Sequence, residues 1–166
     1  MVQHVVRHRT HRRDATGFSL IELIMVVLII AILIAVGIPT FLGSRKPAED
    51  RQAQTLLRTS LAAAKTGAAD SGDYGWVSPA AIGAEETSVQ YLAAGAHARA
   101  ALRQVSVDSG VYSGDSYVIF SSMAGNNGEC FAVFSLASGA TRFQAVTAPT
   151  CTAGSFLPGV GWASSW

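Results

Sequence analysis

Glu22 is the only charged side chain in Phe18–Leu42, FSLIELIMVVLIIAILIAVGIPTFL, and the sixteen residues from Leu23 to Ile38 carry no charge at all. A carboxylate near the centre of a bilayer costs on the order of 2.5 to 3.5 kcal/mol, so an acid on such a stretch calls for a cation as its partner. The two cysteines, Cys130 and Cys151, most simply pair in an exported domain. Closing a loop of this length constrains the unfolded chain by roughly 3 kcal/mol in the chain-entropy picture, the alternative being two buried thiols. Asp70 and Asp73 with Asp108 or Asp115 are conceivable calcium ligands. Their spacing matches no known calcium loop, and solvated turn acids are the plainer reading. Glu85 and Glu86 read as a solvated face.

Enzyme chemistry is disfavoured. The chain has no GxSxG, CxxC, HExxH, phosphate-binding or dinucleotide-binding motif. His97 is the only histidine beyond residue 17, and it reads as a surface residue with nothing beside it to build a triad. The sequence asks for no cofactor and no metal.

The elements that position Glu22 follow from charge and hydropathy. Residues 1–17 form a basic leader with Arg7, Arg9, Arg12 and Arg13 against Asp14, while the rest of the chain holds eight bases against ten acids. The remainder is therefore faintly acidic and no basic patch indicates nucleic acid. A charged fraction of 14% is low for a soluble protein, and the apolar stretch accounts for it. Residues 18–42 rise roughly 37 Å as a helix, enough for a hydrocarbon core of about 30 Å. Four arginines before it hold the N-terminus in the cytoplasm. A secretory signal looks similar, and Ala35-Val36-Gly37 would serve for cleavage, but Pro39 and Glu22 argue against that cut.

The junction Thr16-Gly17-Phe18-Ser19-Leu20-Ile21-Glu22 closely resembles the type IV pilin and pseudopilin family, from Gly17 to about Arg45 and including Pro39 and Phe41. The resemblance implies cleavage between Gly17 and Phe18 by a membrane-embedded prepilin peptidase and N-methylation of the new Phe18 amine. It also implies pairing of that amine with Glu22 of a neighbouring copy during filament assembly. The physics agrees, since an ammonium and a carboxylate one turn apart are each unfavourable in lipid and each offers the other a partner. The plainer alternative is that Glu22 only complements its own helix N-terminus, worth about 0.3 to 1 kcal/mol.

Gly37 and Pro39 predict a kink or a locally unwound segment, because proline removes an amide donor and crowds the carbonyl four residues back. Residues 43–66 continue as an amphipathic helix with Ala53, Leu56, Leu57, Leu61 and Ala64 on one stripe, ending at Gly67 or at the Gly72 cluster. The globular head occupies 67–166. A connecting loop, 67–99, includes a short helical turn opened by Ser78-Pro79. An antiparallel sheet spans 100–147, with strands at Leu102–Val107, Ser116–Ser121, Cys130–Leu136 and Thr141–Val146 and a turn at Asn126-Asn127-Gly128. A disulfide-bounded region covers 130–151, and a tail, 152–166, carries Phe156, Trp162 and Trp166, which fold back on the sheet or, as the alternative, stand exposed as receptor or subunit contacts. The fold class is α+β, a long N-terminal helix packed on three or four antiparallel strands, which the resemblance also implies.

The resemblance further implies a structural subunit of a type IV pilus, with functions such as adhesion and twitching motility. Its partners are copies of itself, the prepilin peptidase, an inner-membrane assembly platform and, before assembly, the cytoplasmic membrane; the assembled filament is extracellular. Two other readings stay open: a pseudopilin of a secretion or DNA-uptake system or a minor pilin, and a signal-anchored exported binding domain that never polymerises.

Overall fold

The computed structural model describes residues 17–125 and 128–166, apart from the side chains at 40 and 42. The leader arginines and the Asn126-Asn127 pair of the expected turn lie outside the described residues. The chain divides into an N-terminal unit ending at Phe41 and a second unit, Leu42–Trp166.

Helix α1, Leu20–Ser71, begins in the first unit. Ser19 opens it by accepting the Glu22 amide on Oγ at 3.2 Å, satisfying one of the amides that a helix N-terminus leaves without a partner. α1 runs through Gly37 and Pro39 as helix, without the unwound segment that was one of two expectations there. Leu20–Pro39 has a mean hydropathy of 3.2 and none of it is buried.

In the second unit α1 extends five residues beyond the expected Thr66. Gly67 lies inside it, and its role is a close approach: a Cβ there would run into the Trp76 ring. The helix ends instead at Gly72, whose φ of +87° suits glycine and whose amide donates to the Ala68 carbonyl at 2.8 Å.

The head sheet has five strands in sequence order: β1 (Gln90–Ala93), β2 (Gln104–Tyr112), β3 (Asp115–Ala124), β4 (Glu129–Leu136) and β5 (Thr141–Thr147). All neighbours are antiparallel except β1 and β2, which are parallel. The loop expected over 67–99 therefore contains a strand as well as α2 (Pro79–Glu85), which Ser78 caps by accepting the Ala81 amide. β1 escapes a periodicity reading because only Tyr91 of its four residues is buried.

Both sheet faces are covered. On one, Val105, Val118, Phe120, Phe131 and Val133 meet the Ala53, Leu57, Leu61 and Ala64 stripe of α1. On the other, Ile119, Met123, Ala132 and Phe134 meet Cys151, Ala153 and Phe156 of the C-terminal segment. Facing pairs such as Phe120 with Val133 and Ile119 with Phe134 thus serve opposite faces, and the last seven residues of β3 are buried without interruption.

The tail aromatics fold back on the sheet, as expected, and they divide between its faces. Trp162 packs on Phe134 and Phe156. Trp166 lies against Phe143 and edge-on to Phe131, donates from Nε1 towards the Ala132 and Gln144 carbonyls, and has Arg58 of α1 5.3 Å above its ring.

Candidate processing and assembly site

Gly17, Phe18 and Ser19 precede the first helical residue and are exposed, and nothing lies within 4 Å of a Cβ built on Gly17. The Gly17–Phe18 peptide bond thus lies outside the helix in uncrowded chain. Phe18 is 74% exposed. Glu22 stands in the first turn of α1, where the helix dipole favours a carboxylate. Ser19 was missed as a participant. Its signal was legible, because Ser19-Leu20-Ile21-Glu22 is the S-x-x-E spacing of a capping box.

Gly37 has nothing within 4 Å of its Cβ position, so no close approach calls for a glycine there. Cys130 on β4 and Cys151 form a disulfide with Cα atoms 5.3 Å apart, tying a strand in the body of the sheet to the segment that covers it.

His97 is not the simple surface residue expected. It is half-buried, and its Nδ1 accepts the Cys151 amide at 2.8 Å while the Cys151 carbonyl accepts the Ala98 amide. The imidazole therefore pins the C-terminal segment. No local pattern marks this, because His97 and Cys151 are distant in sequence.

The four aspartates do not converge. Asp73 accepts the Gly75 amide, Asp108 the Tyr117 hydroxyl and Asp115 the Ser138 amide. Among the described residues no three acids, histidines or cysteines gather as a metal site would require. Hydrogen bonds from Ser138 hold the Asp115 carboxyl below the usual range, and those from Ser88 do the same for Glu86. Burial raises the Tyr74, Tyr91 and Tyr117 hydroxyls above theirs. Arg45 pairs with Glu49 at 2.8 Å and Lys46 with Glu129 at 3.3 Å. Such solvent-facing pairs are worth about 0.2 to 1 kcal/mol each.

An exposed apolar helix with an acid in its first turn, followed by a helix-backed sheet, defines an α+β protein with a type IV pilin-type N-terminal signal. Residues 12–38 match the family described as the prokaryotic N-terminal methylation motif. Over 49 residues the chain is 49% identical to the type IV wide pilus major component PilA4 of Thermus thermophilus, a match covering 30% of this chain and 37% of that relative. The chain thus spans well under half the length of that relative. No solved structure matches it.

Proposed function

We propose that this chain is a structural subunit rather than an enzyme: a prepilin that prepilin peptidase cuts between Gly17 and Phe18, that is methylated on the Phe18 amine, and that polymerises into a type IV pilus. The observation that carries this reading is Glu22, an acid in the first turn of α1 within the exposed apolar stretch Leu20–Pro39, one turn from the bond whose cleavage would create a cation. Before assembly the subunit lies in the cytoplasmic membrane with its leader in the cytoplasm. An inner-membrane platform then draws it into a bundle where Phe18 of one copy meets Glu22 of another. The similarity to a pilus major component supports the filament reading.

The test is the mass of the mature N-terminus together with microscopy of surface filaments carrying labelled protein. The expected result is a chain that begins at methylated Phe18 and is incorporated in filaments. Gly17→Leu should leave full-length precursor, whereas Gly17→Ala should still be cut. An uncut chain with no filaments overturns the proposal.

A further inference from the structure

The second unit breaks two local rules, one beside the middle of α1 and one at its C-terminal end. The first is at Arg103, whose φ of 55° is in the left-handed region that a non-glycine residue avoids. The Arg103 carbonyl accepts the Gln90 amide at 2.9 Å, its amide donates to the Ala100 carbonyl, and its Nε donates to the Ser88 carbonyl at 2.6 Å. Glycine would serve that backbone better, so the arginine is present for its side chain. It lines a groove of about 320 Å³ between α1 and the Ser88-Val89 segment, with Arg51 on the helix side. Neither guanidinium makes an ion pair among the described residues. The Thr55 and Thr59 hydroxyls that face the groove donate to their own helix carbonyls. The unspent donors of the groove are therefore mainly Arg51 and the terminal nitrogens of Arg103, and Glu86, which interacts with Arg103 through its charge, makes no ion pair with it among the described residues.

The second broken rule is at the C-terminal end of the same helix. Cations belong there, yet the last turn of α1 has no basic residue and carries Asp70, with Asp73 just beyond. Both acids are exposed, and neither makes an ion pair among the described residues. At about 1.5 Å per residue, Arg51 and Asp70 are about 28 Å apart along α1. One chain cannot bring them together.

From this complementarity we infer that the Arg51–Arg103 groove receives the Asp70–Asp73 turn of a second copy of this chain. The contact joins two different surfaces, so copies held in one orientation by their membrane helices repeat it as a ring or an open series, and a filament is the open form. The carboxylates supply what the guanidinium forks fit, and the free chain's unfavourable charge at the end of α1 is relieved on contact. The inference rests on the pilin reading for its setting but not for its measurement.

The test is inter-copy cross-linking of the full-length chain in membranes, before filaments are collected. Thr55→Cys in the groove combined with Ala69→Cys beside the acidic turn is oxidised with copper phenanthroline. A ladder extending beyond dimers is expected, and it should shrink at least tenfold at 1 M salt, where the screening length falls to about 3 Å. Arg51→Glu with Arg103→Glu should abolish the ladder, as should Asp70→Lys with Asp73→Lys, and all four together should restore it to within about threefold. Dimers only, no product, or no rescue by the charge swap overturns the contact. Arg103→Gly guards against misfolding, since it should preserve or raise the Tm of the chain while weakening the ladder. A ladder from a chain that forms no filaments refutes the pilus reading and leaves the contact standing.

Discussion

Replacing Cys130 and Cys151 together by alanine removes the covalent tie between β4 and the segment that covers its outer face. The bond closes a loop with a sequence separation of 21, which in the chain-entropy picture is worth about 3 kcal/mol of stability. For a head of this size that is about 10 to 15 °C in Tm. The segment is also held without the bond. Cys151 donates to His97 and accepts from Ala98, Ala153 donates to the Ser106 hydroxyl, and Gly154 donates to the Ala94 carbonyl. At about 1 kcal/mol net for each, these four contacts together rival the disulfide. The variant should therefore stay folded with its tail docked while losing about 3 kcal/mol. Denaturant unfolding of the full chain in detergent, followed by tryptophan fluorescence and near-ultraviolet dichroism, measures both, because Trp162 and Trp166 lie on opposite faces of the sheet. A loss below about 1 kcal/mol would refute the loop argument. A near-ultraviolet signal that collapses under native conditions would refute the claim that His97 and its neighbours hold the segment.

Glu22→Ala should leave insertion and cleavage intact but reduce sheared filament at least tenfold; normal filament yield would defeat the assembly role. Gly67→Ala should cost about 1 to 3 kcal/mol by forcing the Trp76 ring aside, visible as a lower denaturation midpoint. Tyr91 has a hydroxyl pKa raised mainly by burial, so its contribution is complete below about pH 10 and is lost as pH rises past that value. Tyr91→Phe should therefore flatten the fall of stability above pH 10. It should also cost about 1 kcal/mol at neutral pH, through the lost bond to Ser60. An unchanged alkaline slope would contradict this assignment.

Local chemistry made the N-terminal unit legible. Glu22 among uncharged residues, the Gly17–Phe18 junction and the apolar run need no distant partner to be recognised, because hydropathy and spacing act within a few turns. The four antiparallel strands and the Leu57 stripe were legible for the same reason, as alternation and helical period are local signals. Other features depended on residues far apart. β1 has too few buried positions to announce itself and exists because β2 offers it an edge. Gly67 sits inside the helix as the residue that leaves room for Trp76, and the helix stops at Gly72, where the backbone turns left-handed. His97 looked idle until the fold set it against Cys151. The sequence by itself determined that an apolar helix with one acid precedes a helix-backed sheet. Only the tertiary structure decided that the C-terminal segment seals the second face and that Arg103 stands in a strained backbone beside Arg51. Burial and charge proximity are properties of packed neighbours, and residues distant in sequence become neighbours only when the chain folds.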